Sequence, residues 1–481
     1  MKHRQSITKD VFLTAMECPT KGWFLLHGDG GDDPTEGDLL RMAEGQEVHR
    51  RAQSLHPEGV FAGNEAKTNE LILDSSIKLI FEAAFKLDGY AARADWIRRV
   101  EGGWVIGEVK SSLHNEDETA GRHVEDIAYT TMVLRRAGLP VKGCEIVLMN
   151  REWRLGMIDE ELFVVTDITD EATEKADSFN QNWEQFRILF SRKEKPAPHL
   201  KWACRNCDYF ADDCLGKGVR DPIFHLPRLN EKRFDELIDI GALSIHQIPT
   251  EYKLSETQEV VATAIRSGTL QADAEYIKEA LDEVVWPAGY LDFETVKTAI
   301  PLYADIAPHE QIVTQYSMHI RDHDKADLEH RDYLADHSRD CCRELAERLL
   351  VDTQDCETIF VYSSFEKTVL RKLSIRFPDL AQDLESLGSK LFDLLPIVRN
   401  GYVHPDFKGK SSIKVVLPVV APDLSYEGLT INNGDAAVAA FAHLAMGKIN
   451  PSRVETVRSD LLGYCELDTL AMVRLHEGLR G

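Results

Sequence analysis

The sequence DWIRRVEGGWVIGEVK, residues 95–110, contains two short extended segments joined by a charged turn with two glycines. Side chains two residues apart lie on one face of a strand, so Glu108 and Lys110 face the same way. A hairpin closed at the glycines brings both beside Asp95. Two carboxylates can hold a divalent cation, and the lysine can orient a water and offset negative charge. The stretch predicts a metal site suited to phosphodiester hydrolysis. The alternative is an exposed hairpin with scattered charges.

Two helical segments flank this hairpin. Upstream, His49 lies in DLLRMAEGQEVHRRAQ and can complete a metal shell. Downstream, EDIAYTTMVLRRAG has the spacing of an amphipathic helix and carries Tyr129 four residues after Glu125. The candidate metal ligands of this half are His49, Asp95 and Glu108, and the candidate catalytic residues are Asp95, Glu108, Lys110 and Tyr129.

The order G-x-x-x-H, Asp, Glu-x-Lys and then a tyrosine-bearing helix resembles the RecB-type nucleases of the PD-(D/E)XK superfamily, including the CRISPR-associated RecB-like exonucleases. The resemblance covers residues 1–220. It implies a restriction-endonuclease-like α/β domain that cuts DNA with Mg²⁺ or Mn²⁺. The sequence departs from the family at Glu125, where glutamine is usual and contributes to the DNA contact made from this helix.

The chain has 481 residues, a length that predicts two or three domains. No run of about eighteen apolar residues occurs, and the N-terminal MKHRQSITKD has no apolar core. We therefore expect neither a membrane span nor a secretory signal, and a cytoplasmic protein without a membrane partner.

The formal charge is −25, from 81 acidic and 56 basic residues. A protein that coats nucleic acid through counterion release should be basic, so this charge argues against that class. It is compatible with a nuclease whose metal site is acidic and whose contacts with the substrate are local. Candidate local contacts are Arg93, Arg98, Arg99, Arg135, Arg136, Lys408, Lys410 and Lys414. Each one alone is explained more simply as a solvated surface charge.

Three cysteines follow one another closely in WACRNCDYFADDC, with the spacing C-x2-C-x6-C. In a cytosolic protein this spacing predicts a metal or cluster site rather than disulfides. A fourth thiolate is needed, and Cys18 is the natural donor, closing a long loop. The candidate cofactor ligands are Cys18, Cys204, Cys207 and Cys214. Zinc and an iron–sulfur cluster both accept four thiolates. One distant cysteine and a compact trio also resemble the 4Fe-4S layout of RecB-like nucleases, which favours the cluster over zinc.

Residues 221–285 contain apolar-periodic segments separated by Pro249, and one of them follows a helix start signal at Ser255. These segments carry no recognisable chemistry. We expect a helical linker or small subdomain there.

Two later segments combine a strand pattern with acids. AGYLDFET, residues 288–295, places Asp292 and Glu294 on one face of a strand. TIFVYSSFEKTVLRKL leads from a strand into a helix near Glu366. Near the end of the chain, LLGYCELDTLAMVRLHEGL is a helix on which Tyr464 and Asp468, four residues apart, point the same way.

Strand D-x-E, an acid at a strand–helix junction and helical Y-x-x-x-D resemble the DEDD exonucleases of the RNase H fold. The resemblance implies an RNase H-like α/β domain over residues 286–481 that binds two divalent ions. The implied metal ligands are Asp292, Glu294, Glu366 and Asp468, and Tyr464 would orient the attacking water. The sequence departs from the family at Glu366, where aspartate is usual.

Together the patterns predict an α/β protein with a PD-(D/E)XK-like domain clamped by an iron–sulfur cluster, a helical linker and an RNase H-like domain. The predicted function is a Mg²⁺- or Mn²⁺-dependent DNA exonuclease that uses a metal-activated water in DNA repair or in defence against foreign DNA. Its partners would be single-stranded or duplex DNA ends. Two alternatives stay open. In one, only the C-terminal site is active, on RNA; in the other, the chain is a non-catalytic, cluster-stabilised DNA-binding or scaffold protein.

Overall fold

The computed structural model describes residues 6–28, 33–115 and 119–480. These residues form a mixed α/β protein that divides into two compact units. The first unit contains the described residues up to Leu200 together with Thr298–Glu310. The second contains Lys201–Lys297 and the described residues from Gln311 onward.

The first unit has the following elements among its described residues. Its strands are β1 (Val60–Phe61), β2 (Leu79–Leu87), β3 (Tyr90–Val100), β4 (Gly103–Leu113), β5 (Val141–Met149) and β6 (Phe163–Asp167). Its helices are α1 (Lys9–Glu17), α2 (Pro19–His27), α3 (Glu36–Ser54), α4 (Glu65–Leu73), α5 (Thr119–Arg136), α6 (Thr169–Asn180) and α7 (Trp183–Ser191).

These strands form one sheet in the order β1-β2-β3-β4-β5-β6. Strands β2, β3 and β4 pair antiparallel, whereas β4 and β5 pair in parallel, so α5 is the crossover between them. Helices cover both faces of the sheet. Phe12, Phe179 and Ile97 belong to the core on one face, and Val48 of α3 packs with Trp96 in the core on the other.

The hairpin predicted from residues 95–110 is confirmed as β3 and β4. Its turn requires a φ of 73° at Gly102, a conformation that glycine adopts without strain. Gly107 allows a close approach. It pairs with Trp96, and a Cβ at position 107 would lie 1.9 Å from the indole Nε1. The indole therefore covers β4 beside Glu108 only because residue 107 has no side chain.

The second unit has a larger set of elements. Its strands are β7 (Gln271–Ala272), β8 (Ala288–Val296), β9 (Ile312–Arg321), β10 (Glu329–Leu334), β11 (Thr358–Val361), β12 (Leu391–Asp393) and β13 (Tyr402–Val403). Its helices are α8 (Phe210–Asp213), α9 (Glu231–Asp239), α10 (Glu256–Ser267), α11 (Ala274–Leu281), α12 (Cys342–Asp352), α13 (Phe365–Arg376), α14 (Ala381–Ser389), α15 (Leu395–Gly401), α16 (Ile413–Val420), α17 (Gly434–Ala445) and α18 (Val454–Arg480).

The main sheet of the second unit has the strand order β10-β9-β8-β11-β12, with β8 in the centre. Strands β8, β9 and β10 pair antiparallel, and β8, β11 and β12 pair in parallel. The 27-residue helix α18 packs along β8, β9 and β10. Tyr290, Phe360 and Leu475 lie in the core between these elements.

The unit boundaries differ from the predicted division into residues 1–220, 221–285 and 286–481. The cysteine-bearing segment 201–220 belongs to the second unit. The segment 221–285, predicted as a helical linker, is also part of that unit, because Ile277 and Leu281 lie in its core and β7 pairs with β13. The predicted helix after Ser255 is confirmed as α10, which Ser255 caps. No helix in the described part of the chain is long and apolar enough to cross a membrane.

Alanine at position 107 tests the close approach of Trp96. We expect Gly107→Ala to destabilise the protein by about 1–3 kcal/mol, because the buried indole must shift to admit the methyl group. Gly45→Ala on α3 is the matched control, since nothing lies within 4 Å of a Cβ there. It should be neutral or stabilising by up to about 1 kcal/mol. The measurement is denaturant unfolding, and equal stabilities of the two variants would contradict the packing argument.

Candidate functional site

In the first unit, one potential ligand atom each from His49, Glu82 and Asp95 lies within 4.8 Å of the others. They come from α3, β2 and β3. The Nε2–H of His49 donates to the carbonyl oxygen of Val109 at 3.0 Å, which leaves Nδ1 on the side of Asp95, 3.8 Å from Oδ1. A hydrogen bond of this kind fixes the ring and the tautomer of a metal-binding histidine. His49 is therefore oriented to offer a lone pair to an ion.

Asp95 is held by the backbone N–H of Val109, which donates to Oδ2 at 2.6 Å. Burial and the nearby charge of Glu108 raise the pKa of Asp95 well above its usual range. A carboxyl group in this position ionises readily when a cation lies beside it. The environment of Asp95 is thus suited to a divalent ion.

Glu82 is a ligand candidate that the motif pattern did not indicate. Its φ is 52°, which is uncommon for a residue with a side chain. Phe81 and Ala83 pair with Trp96 and Ala94, while Glu82 is left out of the pairing. In this conformation the side chain of Glu82 joins the group with His49 and Asp95. The sequence signal is a single acid inside the otherwise apolar run LIFEAAF.

Glu108 lies in a separate network of charges, outside the group of three. Its Oε1 accepts hydrogen bonds from Lys110 and from Lys9 of α1, both at 2.9 Å. Both lysines also pair with Asp126 of α5. Burial raises the pKa of Glu108, but the two ammonium groups outweigh it and leave this pKa below its usual value. The structure therefore brings Glu108 and Lys110 together and adds Lys9 and Asp126, which the motif did not indicate.

The protonation of Lys110 limits what it can do chemically. Burial lowers its pKa, but Glu108 and Asp126 outweigh burial and raise the pKa above the usual range. Lys110 is therefore a permanent cation. It can bind an anionic oxygen or orient a water, but it cannot act as a general base.

The structure does not place Tyr129 with these charged groups. Its side chain is fully buried against Phe12, and its hydroxyl lies 2.5 Å and 3.1 Å from the carbonyl oxygens of Ile7 and Ala91. Asp126, three residues earlier on α5, is the residue of that helix that reaches the charged network. Tyr129 lies on the apolar face of the amphipathic helix, so it contributes to packing and not to the cluster.

In the second unit, one ligand atom each from Asp292, Glu294 and Asp468 lies within 4.8 Å of the others. The first two alternate along the central strand β8, and Asp468 comes from α18. The structure thus brings together three of the four acids that the sequence patterns singled out. Asp468 is far from the other two in the chain, so the packing of α18 on β8 brings it to them.

The pKa values of these three acids are all raised. Burial, followed by Asp468 and Glu294, raises the pKa of Asp292 well above its usual range. Burial and Asp468 raise the pKa of Glu294 to about 8, against the opposing effect of Lys414. Burial also raises the pKa of Asp468, although hydrogen bonding by Tyr426 opposes the shift. Burial is the main cause of all three shifts, and like charges add to those of Asp292 and Glu294.

Glu366, the fourth predicted acid, is not part of the group of three. It is buried at the start of α13, where Oε2 accepts a hydrogen bond from the hydroxyl of Ser363 at 3.3 Å. Burial raises the pKa of Glu366 to about 7, and Asp393 adds to the shift. Its charge still contributes to the raised pKa of Asp292, so it lies close to the cluster.

Two tyrosines and a lysine border the acids. The hydroxyl of Tyr426 donates to Asp468 at 2.6 Å, and Lys414 donates to the hydroxyl of Tyr464 at 3.0 Å. Burial and Asp468 raise the pKa of Tyr464 far above its usual value, so the phenol keeps its proton. Tyr464 was expected here from its spacing to Asp468. Tyr426 was not, because no fixed spacing links its segment to α18.

The cysteine trio lies in an irregular segment of the second unit. Cys204, Cys207 and Cys214 are half-buried and none forms a disulfide with a described residue. The backbone N–H of Lys201 donates to Sγ of Cys204 at 3.4 Å. Cys18 belongs to the first unit, between α1 and α2. Among the described residues, the groups of three close ligand atoms contain no cysteine, so the four-thiolate site stays a prediction.

Most of the predicted contacts to nucleic acid in the first unit are engaged internally. Arg98 pairs with Glu145 at 2.5 Å, and Arg99 donates to the carbonyl oxygen of Ile77 at 2.9 Å. In the second unit, by contrast, Lys410 lines a cavity of about 460 Å³. The other lining residues that bear on a ligand are Arg228, Arg399, Tyr402 and Phe407.

These observations define a mixed α/β protein with two candidate metal sites built on carboxylates. A family model described as "Domain of unknown function (DUF2779)" matches residues 289–412. The matched segment contains Asp292, Glu294 and Glu366 but ends before Tyr464 and Asp468.

The chain is also similar to uncharacterized proteins of two mycoplasmas. It is 26% identical over 214 residues to a protein of Mycoplasma pneumoniae and 26% identical over 213 residues to one of Mycoplasma genitalium. Each match covers 39% of this chain and 31% of the relative. The chain thus spans about a third of the length of the curated relatives it matches.

The raised pKa of Glu294 predicts a pH-dependent effect of Glu294→Gln. The pKa is about 8 in the folded protein and ordinarily 4.5. Protonation of the Glu294 carboxyl therefore makes its full contribution to the stability of the folded protein below pH 4.5. This contribution is lost as the pH rises through about 8. We expect the variant to match the wild type near pH 4.5 and to gain relative stability toward pH 8. The measurement is the Tm of chelator-treated proteins across this range.

Glu385→Gln, an exposed change on α14, is the matched control and should show no such trend. Added Mg²⁺ should stabilise the wild type above the variant at high pH, because an ion favours ionised Glu294. A constant difference between wild type and Glu294→Gln at all pH values would contradict the burial of this carboxyl group.

Proposed function

We propose that the protein is a divalent-metal-dependent nuclease that hydrolyses phosphodiester bonds in DNA. The observation that carries this proposal is the close burial of Asp292, Glu294 and Asp468. Grouped carboxylates are costly to ionise unless cations neutralise them, and carboxylate oxygens are the ligands that Mg²⁺ and Mn²⁺ prefer. Bound ions would lower the pKa of a water and neutralise charge on the phosphate.

The surrounding side chains have matching roles in this proposal. Tyr464 keeps its proton, so its hydroxyl can donate a hydrogen bond and orient the attacking water. Lys414 fixes that hydroxyl from its other side and brings a positive charge toward the phosphate. Tyr426 holds Asp468 in place through its 2.6 Å hydrogen bond. Glu366 is the further acid beside Asp292.

The first unit supports the same chemistry at a second site. His49, Glu82 and Asp95 offer one nitrogen and two oxygen ligands, a set that suits Mn²⁺ as well as Mg²⁺. Lys110 and Lys9, both paired with Glu108, supply ammonium groups that can bind phosphate oxygens. Because Asp95 and the E-x-K motif occupy adjacent strands β3 and β4, we propose the PD-(D/E)XK-like fold for this unit.

For the second unit we propose an RNase H-like fold. The D-x-E acids lie on a central strand that pairs antiparallel on one side and parallel on the other, and α18 supplies the acid of Y-x-x-x-D. Both resemblances favour exonuclease action, and we propose DNA repair or defence against foreign DNA as the setting.

The cavity around Lys410 supports a nucleic acid as the ligand. Arg228, Arg399 and Lys410 line it. Three cations around one cavity, in a chain of net charge −25, are suited to bind phosphates. Tyr402 and Phe407 add aromatic faces, on which nucleic-acid bases stack.

The test is cleavage of end-labelled single-stranded DNA, duplex DNA and RNA in Mg²⁺ and in Mn²⁺. Asp468→Asn should lower the rate at least about a hundredfold, because an ionised ligand of the cluster is lost. Lys110→Ala reports on the first unit in the same way. Matched controls are Asp460→Asn, two turns earlier on α18, and Lys86→Ala, an exposed lysine of β2.

The pattern of losses decides between the candidate functions. Loss of cutting in Asp468→Asn alone assigns catalysis to the second unit, and preference for RNA would then favour the RNA-cutting alternative. Loss in Lys110→Ala alone assigns it to the first unit. Binding without cleavage by the wild type in both ions would contradict the enzyme and leave the scaffold alternative.

We also propose that the cysteine trio binds a 4Fe-4S cluster with Cys18 as the predicted fourth ligand. The spacing of Cys204, Cys207 and Cys214 supports this, and so does the N–H···S bond of Lys201, since such bonds stabilise thiolates bound to iron. Cys204 lies in a short helical turn, Trp202–Asn206, and Cys207 directly follows it.

Purified protein should therefore show the broad visible absorbance of thiolate-bound iron, and Cys204→Ser should lose it together with stability. Cys341→Ser, which removes a cysteine outside the trio, should keep its iron. A colourless wild type with stoichiometric zinc would establish the zinc alternative, and a wild type without either metal would contradict both.

A further inference from the structure

A third group of potential metal ligands lies in the second unit and uses none of the clustered acids. One ligand atom each from His319, His330 and Glu466 lies within 4.8 Å of the others. His319 and His330 are direct cross-strand partners on β9 and β10, and their ring centroids are 4.7 Å apart. Glu466 of α18 faces them, with Oε1 3.9 Å from Nδ1 of His330.

Both imidazoles are anchored by hydroxyl groups on their inner side. Nδ1 of His319 lies 2.8 Å from the hydroxyl of Thr469, and Nε2 of His330 lies 2.9 Å from the hydroxyl of Ser317. The two hydroxyls are 2.9 Å from each other and fully buried. Each ring therefore uses one nitrogen in this network, and the other nitrogen of His330 lies on the side of Glu466.

One proton assignment satisfies the whole network and leaves both remaining ring nitrogens unprotonated. His319 Nδ1–H donates to Thr469, and His330 Nε2–H donates to Ser317. The hydroxyl of Ser317 then donates to the hydroxyl of Thr469. The hydroxyl of Thr469 in turn donates a hydrogen bond to the backbone carbonyl oxygen of Glu466 at 3.0 Å. Hydrogen bonds to the far nitrogen orient metal-binding histidines in the same way.

We propose that His319, His330 and Glu466 bind a first-row divalent transition-metal ion of the Zn²⁺ type. Two imidazoles and one carboxylate suit such ions, whereas Mg²⁺ prefers oxygen ligands alone. Three protein ligands leave a further position for water. The side chains of His330 and Glu466 are 25% and 51% exposed, so an ion can enter from solvent.

A neighbouring arginine on β9 is held in an ion pair, which offsets part of its charge. Arg321, two residues along β9 from His319, pairs with Glu477 at 2.6 Å. The ion would join the edge strand β10 to α18 through Glu466. Because α18 also carries Tyr464 and Asp468, the ion would hold the helix that completes the acidic cluster. The site itself stands whether or not that cluster cuts DNA.

The experiment measures Zn²⁺ and Co²⁺ binding to chelator-treated full-length protein in excess Mg²⁺, which occupies the acidic clusters. The variants are His330→Gln and Glu466→Gln, both at partly exposed positions. The matched control is His323→Gln, which removes an exposed histidine from the turn between β9 and β10. We expect each of the two variants to bind one Zn²⁺ fewer than the wild type and to lose the Zn²⁺-dependent rise in Tm.

The control should bind as many ions as the wild type. In Co²⁺, the signal lost in the variants should be ligand-field absorbance without thiolate charge transfer, which separates this site from the cysteine trio. Equal Zn²⁺ binding by all four proteins overturns the proposal, and so does loss in only one of the two variants. If a variant melts early without metal, anomalous diffraction from Zn²⁺-soaked wild-type crystals decides: an ion between the three side chains supports the site and its absence overturns it.

Discussion

Carboxylates buried side by side are the constraint on which the second unit depends. Asp292 and Glu294 alternate along β8, the central strand, where the sheet and α18 exclude water. Desolvation and mutual repulsion raise their pKa values, so the metal-free fold keeps protons on groups that are ordinarily ionised. A sheet that buries such carboxyl groups is most stable either at low pH, where they are protonated, or with cations bound. Bound ions would therefore affect the stability of this unit as well as any chemistry at the cluster.

In the first unit, buried negative charge is stabilised in a different way. Its most deeply buried acid, Glu108, accepts hydrogen bonds from Lys9 and Lys110 and keeps a low pKa. Asp95, by contrast, has a raised pKa because of its burial and the nearby charge of Glu108. Lysines thus neutralise Glu108 and Asp126 in the first unit, whereas tyrosine hydroxyls and Lys414 border the acids of the second. The first fold should depend less on bound ions than the second, because its charges are already paired.

Strand and helix periods made the central motifs predictable. A period of two placed Asp292 with Glu294, and a spacing of four placed Tyr464 with Asp468 on α18. Periodicity does not indicate which distant segment packs against each face of a strand or helix. The helix that carries Tyr129 was predicted correctly. Its orientation in the fold, however, places Tyr129 in the core and turns Asp126 toward the lysines. Glu82 depends on a positive φ inside a strand, and Lys9, Lys414 and Tyr426 depend on packing between distant segments. The predicted boundary at residue 220 differs from the division into units for the same reason. The spacing of the cysteines does not indicate which unit their segment packs against.

Helix α18 shows how one element serves two sets of ligands. Tyr464 and Asp468 lie on one face, toward β8, while Glu466 and Thr469 lie on another, toward β9 and β10. Successive helical residues turn by about 100°, so positions two apart project in nearly opposite directions. Thr469 directly follows Asp468 in the chain, and its buried hydroxyl is hydrogen-bonded to Ser317 of β9.

Arg458 adds a second anchor for α18 by donating to the carbonyl oxygen of Ala335 at 2.9 Å. Any movement of α18 relative to β9 would therefore displace Asp468, and the contacts that hold the helix to the antiparallel edge also set the geometry of the acidic cluster.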